Sequence, residues 1–358
     1  MLLMNGTVKV LWFDTHDFLI QVLNNEMLPY ILRDSIQDSE NLRTIPEHIQ
    51  NYDKLRHFFA DRVLSLSREN AKSILQSLNE SQKLSEEQSY QLSLKCRSLS
   101  VSDNFWVKND TEDITFENVN VRKRSLNDSI FQVCVVGTPV SLQHEILAAD
   151  VSVNGIFKKA WIRESDGLYL YKSDCTADYL NTKAEVAVSE MLNKSSVRHV
   201  RYISSEKNGI LCSKCKCFTS DDVSFVEAEY VKNWIERKGL NFLNWVQDNF
   251  LVDFANMVVC DYLFANPDRH ICNWGFLVNN ASNEIISMAP MFDNNQALIA
   301  LKFNKETSFD ELIYNPTGKQ MLQSAIEMYS FSSLNLQNPP DFVIRRLRKL
   351  NQLSKIKI

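Results

Sequence analysis

The segment that most constrains this fold is an apolar stretch that ends near a proline. From Leu251 to Ala265, apolar residues lie on nearly every side of a predicted helix, so the helix must be buried. Pro267 ends the helix, because proline disfavours helical backbone in the residue before it. The polar segment Asn266-Pro-Asp-Arg-His-Ile-Cys-Asn273 begins at this point. The sequence therefore predicts a polar loop held rigidly at the end of a buried helix.

This loop carries residue types that phosphoryl transfer requires. Asp268 and Asn273 lie five positions apart (273 − 268), and Asp293 follows in Pro290-Met-Phe-Asp-Asn-Asn295. Phosphoryl transfer uses a carboxylate that orients the attacking hydroxyl and hard oxygen ligands that hold Mg²⁺. Taken alone, Asn-Pro-Asp is more typical of an ordinary turn. The buried helix, the loop and the second aspartate together favour Mg²⁺-dependent phosphoryl transfer from ATP.

An ammonium group is also expected, because the phosphates of ATP need a counter-charge. Lys172 ends the aromatic-rich predicted strand Gly167-Leu-Tyr-Leu-Tyr-Lys172, and Glu185 lies near the start of the next predicted helix. An ion pair between Lys172 and Glu185 would hold the ammonium in place. The residues alone fit a second interpretation equally well, in which Lys172 is solvated at the end of its strand and Glu185 is favoured by the helix dipole.

Composition limits the class of protein further. The chain has 358 residues, of which 44% are hydrophobic and 23% charged, as in ordinary folded proteins with two or three lobes. The formal net charge of -5 predicts no direct binding of nucleic acid. The N-terminal residues do not resemble a signal peptide, and no apolar run is long enough to span a membrane. We therefore expect a cytoplasmic protein without membrane contacts.

Some further signals are weaker. The eight cysteines are typical of a reducing compartment. Cys212-Ser-Lys-Cys-Lys-Cys217 resembles half of a zinc site, but no second Cys or His cluster stands near it in the sequence. His270 is better explained by loop packing than by proton transfer. Neither a glycine-rich nucleotide loop nor a GxSxG elbow occurs, so a bound nucleotide would be held by other means.

At the level of motifs, the sequence resembles the HipA-like serine/threonine kinases, bacterial enzymes that are often the toxin half of toxin–antitoxin pairs. The resemblance is carried by Asn266-Pro-Asp-Arg-His-Ile-Cys-Asn-Trp-Gly-Phe-Leu277 and by Ala289-Pro-Met-Phe-Asp-Asn294. Three upstream segments extend it over most of the chain from about residue 98: Ser98-Leu-Ser-Val-Ser-Asp-Asn-Phe-Trp106, Lys159-Ala-Trp-Ile-Arg163 and Gly167-Leu-Tyr-Leu-Tyr-Lys172. The resemblance implies a fold related to both protein kinases and phosphoinositide kinases.

The resemblance also implies roles for individual residues. Asp268 would be the catalytic aspartate, and Asn273 and Asp293 would bind Mg²⁺. Lys172 would bind the phosphates of ATP, with Glu185 supporting it.

A loop that covers the phosphates in this family falls at Val151-Ser-Val-Asn-Gly-Ile-Phe-Lys158, which contains Gly155. In some members this loop carries an autophosphorylated serine, and Ser152 is the candidate here. Members often read Phe-Asp-Asn-Gly-x-Ser where this chain has Phe292-Asp-Asn-Asn-Gln-Ala297. Because asparagine also visits the left-handed region, we expect Asn295 to take the place of that glycine in the turn.

The fold class is accordingly predicted as α+β, with a bilobal, protein-kinase-like (HipA-like and phosphoinositide-kinase-like) architecture. Residues 1–99 would form a mainly helical N-terminal accessory module. Residues 100–230 would form the ATP-side lobe with a small β-sheet, and residues 231–358 the helical catalytic lobe.

The predicted function is transfer of the ATP γ-phosphate to a serine or threonine of a protein substrate, with autophosphorylation and a toxin or effector role. The resemblance makes an antitoxin-like protein partner plausible. Two alternatives stay open. One is a pseudokinase, which would act as a nucleotide-binding interaction module, and the other is a kinase acting on a lipid or small molecule.

Overall fold

The computed structural model describes residues 1–63, 68–78, 80, 83–123, 129–139, 157–174, 177–298 and 334–355. The chain divides into two compact units. Unit one contains Met1–Cys175, Cys217–Val226 and Leu277–Ile286, and unit two contains Thr176–Lys216, Glu227–Phe276 and Ser287–Ile358. The domain boundaries expected after residues 99 and 230, and the bilobal arrangement, stay predictions.

Unit one begins with an antiparallel sheet of β1 (Leu2–Asn5), β2 (Val8–Phe13), β3 (Ile20–Val22) and β4 (Phe105–Lys108), in the order β3-β2-β1-β4. The turn between β1 and β2 needs a residue with positive φ, and Gly6 supplies it at +56°. The pairing of β1 with β4 brings residues 105–108 beside the N-terminus.

Three helices lie between β3 and β4 in the chain: α1 (Ile45–Ala60), α2 (Ala71–Ser77) and α3 (Glu86–Lys95). Reciprocal hydrogen bonds between side chain and backbone cap α1 through Thr44 and Glu47, as the capping box predicts. Phe13 of β2 packs against Phe59 of α1 in one shared core. The expectation of a mainly helical module is not confirmed, because the sheet contributes to this core together with the helices.

Two short helices follow, α4 (Phe116–Val119) and α5 (Ser129–Phe131). Helix α5 continues as a π-helix over Gln132–Val136, and a hairpin of two strands comes later in unit one. The hairpin joins β5 (Lys158–Glu164) to β6 (Gly167–Ser173) in antiparallel register. In this register Lys159 lies directly opposite Lys172. Ser152 and Gly155 lie outside the described residues.

Unit two begins with helix α6 (Leu180–Leu192) and a second hairpin, β7 (Tyr202–Lys207) and β8 (Ile210–Lys216). Asn208 and Gly209 both have positive φ at the hairpin turn, which is the reason for the Asn-Gly sequence there.

Strand β9 (Val223–Glu227) leads into α7 (Ala228–Arg237) and α8 (Phe242–Leu263). The long helix α8 is interrupted at Phe250, where φ is -140°, and its second half is the buried apolar helix that the sequence predicts. Strands β10 (Gly275–Asn279) and β11 (Glu284–Met288) complete a three-stranded sheet in the order β11-β10-β9, and α9 (Asp341–Lys355) closes the described part of the chain. Among the described residues, no helix has both the length and the apolar composition that a membrane span needs.

Candidate active site

Helix α8 ends at Leu263, two residues before the end that Pro267 predicts, and the polar loop follows. Ala265 takes a positive φ of 50°, which breaks the helical path. The backbone amide and the side-chain amide of Asn266 both donate to Asp261, to its carbonyl and its carboxylate respectively, each at 2.9 Å. The Asn266 side chain in turn accepts from the Asp268 amide at 3.3 Å. The start of the loop is therefore tied to the last turn of a buried helix.

Within the loop, Asp268 and Asn273 are directly connected. The side-chain nitrogen of Asn273 donates to the backbone carbonyl of Asp268 at 2.8 Å. A turn between them is closed by hydrogen bonds from the His270 amide to the Asp268 carbonyl and from the Asn273 amide to the His270 carbonyl. Because its nitrogen is used inside the loop, Asn273 can offer its side-chain oxygen to a cation. The spacing recognised in the sequence thus corresponds to one compact turn.

Arg269 connects this loop to the segment that contains Asp293. Its Nε donates to Asp261 at 3.0 Å, and one terminal nitrogen donates to the carbonyls of Asn273, at 2.7 Å, and Phe292. The other terminal nitrogen reaches the carboxylate of Asp261 at 3.1 Å and the side-chain oxygen of Asn294 at 2.7 Å. The side chains of Arg269 and Asp261 are only 9% and 13% exposed.

The segment that carries Asp293 is fixed on its N-terminal side by Met291. Met291 forms a parallel bridge to His199, with backbone hydrogen bonds of 2.8 Å to Arg198 and Val200. Asp293 itself has a positive φ of 57°. The expected turn is present, closed by a hydrogen bond of 3.0 Å from the Ala297 amide to the Asn294 carbonyl, but Asn295 does not take the left-handed conformation expected of it.

Asn295 is buried at 5% exposure, and its side-chain oxygen has no hydrogen-bond partner among the described residues. The positive φ nearest to it on the N-terminal side occurs two residues earlier, at Asp293.

The electrostatics of the site couple the two aspartates. Burial raises the pKa of Asp268, and the nearby carboxylate of Asp293 raises it further, while His270 and Arg269 oppose this shift. A carboxyl group with a raised pKa is a stronger base once ionised, which suits it to accept a proton from a hydroxyl.

Lys172 and Glu185 belong to different units, and each is placed by its own element. Lys172 lies on β6 and is buried at 7% exposure. Glu185 lies on α6 at 1% exposure, and its carboxylate accepts a hydrogen bond of 2.6 Å from the Ser213 hydroxyl on β8. Their roles toward ATP stay predictions.

Sequence reasoning missed two functional candidates in this site. Asp261 is the acidic residue in the apolar second half of α8 that lies nearest the loop, and Arg269 stands inside the recognised motif without an assigned role. A buried acid in an apolar helix is rarely left unpaired, so Asp261 was the available signal for a partner nearby.

Cys272, beside Asn273, carries no sign of a nucleophile. Its thiol lies 3.1 Å from the carboxylate of Glu229, with Glu227 also close. Burial raises the pKa of Cys272 strongly, and the two carboxylates raise it further, so the thiol stays protonated.

No protein-family model matches the sequence, and no curated protein matches it at a significant level. Among solved structures, the chain is similar to HipA of Shewanella oneidensis MR-1, from a complex of HipA, HipB and operator DNA. The TM-score is 0.53 at 11% identity, and the match covers 99% of this chain and 96% of that one. The chain has a HipA-like fold. The resemblance predicted from the motifs is confirmed at the level of the fold.

A second similar structure is the proinflammatory kinase CtkA of Helicobacter pylori, with 18% identity and a TM-score of 0.41. It is matched over 92% of its own length and over 57% of this HipA-like chain.

One expectation about partners is contradicted by the HipA comparison. The net charge of -5 predicted no direct binding of nucleic acid, yet the HipA structure is a complex with HipB and operator DNA. The reasoning failed because a whole-chain charge averages over local patches, and because a partner protein can bring a chain to DNA that it does not attract by itself. The basic run Arg345-Arg-Leu-Arg-Lys349 on α9 is such a local concentration of charge.

Proposed function

We propose that this HipA-like chain is an ATP-dependent protein kinase that transfers the γ-phosphate to a serine or threonine hydroxyl. The observation that supports the proposal is that Arg269 donates to the carbonyls of both Asn273 and Phe292, which brings the loop of Asp268 and Asn273 beside the segment of Asp293 in one compact unit. A general base and two oxygen ligands are the groups that phosphoryl transfer needs from the protein.

The residues at this site fit a magnesium ion. The side-chain oxygen of Asn273 and the carboxylate of Asp293 are hard oxygen ligands of the kind Mg²⁺ takes in proteins. The buried side-chain oxygen of Asn295 without a partner supports the same fit, because such an acceptor is stabilised when a ligand completes it. When bound, Mg²⁺ would neutralise charge that develops on the transferred phosphoryl group.

Asp268 would hold the substrate hydroxyl through its carboxylate and accept its proton as the hydroxyl oxygen bonds to the γ-phosphorus. The bond from that phosphorus to the bridging oxygen of ADP would break in the same step, and ADP would leave. Its raised pKa brings it closer to neutral pH, where a general base is most effective. The hydrogen bond from Asn273 fixes the backbone of Asp268 during this step.

Further residues are proposed on the HipA-like resemblance. Lys172 would bind the phosphates of ATP, with Glu185 as its supporting carboxylate. Gly155 would lie in the loop that covers the phosphates, and Ser152 in the same loop would be the site of autophosphorylation.

The HipA–HipB–operator DNA complex supports a partner for this chain as well. We propose that the partners of this chain are an antitoxin-like protein and DNA.

The deciding experiment is transfer of radiolabel from [γ-³²P]ATP with Mg²⁺ by the purified chain, offered protein substrates and lipid vesicles separately. Asp268→Ala and Asp293→Ala should abolish labelling, whereas Asp248→Asn is the control. Asp248 is exposed in the first half of α8, before the interruption at Phe250. Label on lipid alone would replace the protein substrate, ATP binding without any label would make the chain a pseudokinase, and label retained in both alanine variants would place the active site elsewhere.

A further inference from the structure

The guanidinium of Arg269 uses its full hydrogen-bonding capacity. Arginine has five N–H donors, and each of those in Arg269 meets an acceptor within the same unit. The acceptors are the two carboxylate oxygens of Asp261, the carbonyls of Asn273 and Phe292, and the side-chain oxygen of Asn294. An arginine with this many directional contacts fixes the relative positions of the groups that it joins.

Three of these acceptors are adjacent to the proposed metal ligands. One is the carbonyl of Asn273 itself. The other two belong to Phe292 and Asn294, the residues immediately before and after Asp293. One guanidinium group is therefore hydrogen-bonded to both neighbours of Asp293 and to the backbone of Asn273.

Asp293 is the residue on which such a hold has most effect. Its φ of 57° lies in the left-handed region, which costs free energy for a residue other than glycine, although less for aspartate than for most. The contacts of Arg269 with Phe292 and Asn294 lie on either side of this strained backbone. Without them, Asp293 would relax to a commoner conformation and its carboxylate would move.

Asp261 anchors the Arg269 guanidinium to the buried helix α8. It lies in the last turn of the buried helix α8, and its carboxylate also accepts from the side chain of Asn266 at 2.9 Å. Although burial lowers the pKa of Arg269, the charge of Asp261 and its hydrogen bonds raise it overall, so the guanidinium stays charged. A largely buried ion pair adds little net stability compared with an apolar pair, which favours a role in geometry.

We infer that Asp261 and Arg269 are a positioning pair that sets the spacing between two divalent-cation ligands, Asn273 and Asp293. This inference rests on the proposed function for the role of the cation. Neither residue of the pair touches the cation. The pair acts through the backbone of the ligand residues, as outer contacts of metal sites commonly do.

Two substitutions separate this role from simple folding support. Arg269→Lys keeps the charge but offers three donors from one atom, which cannot reach five acceptors around a plane. Asp261→Asn keeps the shape of the anchor and removes its charge. Loss of an outer-contact residue typically weakens metal affinity by about 10–100-fold, and we expect a weakening in this range for both variants.

The probe is Mn²⁺, which favours the same oxygen ligands as Mg²⁺ and is detected by its electron paramagnetic resonance. Free Mn²⁺ is titrated against the full chain in the presence of a non-hydrolysable ATP analogue, well below the melting temperature of every variant. Asp248→Asn serves as the control, because it makes the same change as Asp261→Asn at an exposed position in the first half of α8.

Weaker Mn²⁺ binding in both variants, with wild-type affinity in the control, would establish the positioning pair. Folded variants with wild-type Mn²⁺ affinity would overturn it, even if their labelling activity fell. If neither variant folds, Asn294→Ala decides, since it removes one acceptor and keeps the ion pair: reduced affinity supports the inference, and unchanged affinity refutes it. A wild-type chain that binds Mn²⁺ but never transfers phosphate would refute the proposed kinase activity and leave the positioning pair standing.

Discussion

The side-chain nitrogen of Asn273 donates a hydrogen bond of 2.8 Å to the backbone carbonyl of Asp268. The amide group of Asn273 therefore has two tasks, because its nitrogen closes the loop while its oxygen can face a cation. Aspartate would supply the oxygen but not the donor. Alanine would supply neither.

This division of tasks predicts different defects for Asn273→Asp and Asn273→Ala. In Asn273→Asp a carboxylate oxygen would face the Asp268 carbonyl, and the repulsion should displace the loop. We expect phosphate transfer to fall by about 10–100-fold with part of the Mn²⁺ affinity retained, whereas Asn273→Ala should lose both. Radiolabel transfer and Mn²⁺ titration measure the two effects, with Asp248→Asn as the unchanged reference. Equal Mn²⁺ affinity in both Asn273 variants would contradict the assignment of its oxygen as a ligand.

Asp268 leads to a prediction about the pH dependence of the rate. Only its ionised form can accept a proton, so the transfer rate should rise with pH through the raised pKa of Asp268. Burial is the main cause of that shift and Asp293 contributes to it. In the metal-free protein, Asp293→Asn should therefore lower the pKa of Asp268, which an NMR titration of ¹³C-labelled aspartate measures. An unchanged pKa would mean that Asp293 does not act on Asp268.

The ionised carboxylate of Asp268 should also lower the free energy of unfolding at neutral pH. Because its folded pKa is raised, ionised Asp268 destabilises the folded state at pH values above that pKa, and the cost disappears below its ordinary pKa of about 3.9. Asp268→Asn, which cannot ionise, should therefore melt at a higher temperature than the wild type at pH 7. The difference should vanish as the pH falls toward 4. Thermal unfolding without ligand at both pH values tests this, and a variant that melts lower at pH 7 would contradict it.

A separate prediction concerns the N-terminal module of unit one. The hydroxyls of Tyr52 on α1 and Tyr90 on α3 form a buried hydrogen bond of 2.8 Å. Tyr52→Phe would leave the Tyr90 hydroxyl without this partner, at a cost of roughly 1–3 kcal/mol. The double Tyr52→Phe, Tyr90→Phe variant should cost less than the sum of the two single changes, because no buried hydroxyl is then left behind. Urea unfolding of the four proteins gives the coupling, and purely additive costs would show that the two hydroxyls do not depend on each other.

The parts of this site that depend on local sequence pattern could be predicted from the sequence. The apolar second half of α8 and the polar loop after it follow from hydrophobicity and from Pro267, and both occur in the structure. The pairing of Arg269 with Asp261, Asn273, Phe292 and Asn294 could not be predicted in the same way. These contacts join residues up to 25 positions apart, and their directions are fixed only when the whole unit is packed.

The error at Asn295 has the same origin. An asparagine in place of a glycine suggests a left-handed conformation at that position, but the backbone conformation is set by the packing of the whole segment. In this chain the buried Asn295 keeps ordinary backbone and Asp293 carries the positive φ. Partner binding was misjudged for another reason, since net charge does not describe what a partner protein contacts.

Asn295 supports one last prediction, because its buried side-chain oxygen lacks a hydrogen-bond partner among the described residues. A buried acceptor without a partner costs free energy in the empty protein, and a ligand that completes it recovers that cost. Asn295→Ala should therefore melt no lower than the wild type without ligand, and should gain less in melting temperature when ATP analogue and Mg²⁺ are added. Asn244→Ala is the control, since this exposed residue of α8 lies far along the chain from the loop. A lower melting temperature in the empty protein, with the full gain from ligand retained, would mean that Asn295 supports the fold and does not contribute to ligand binding.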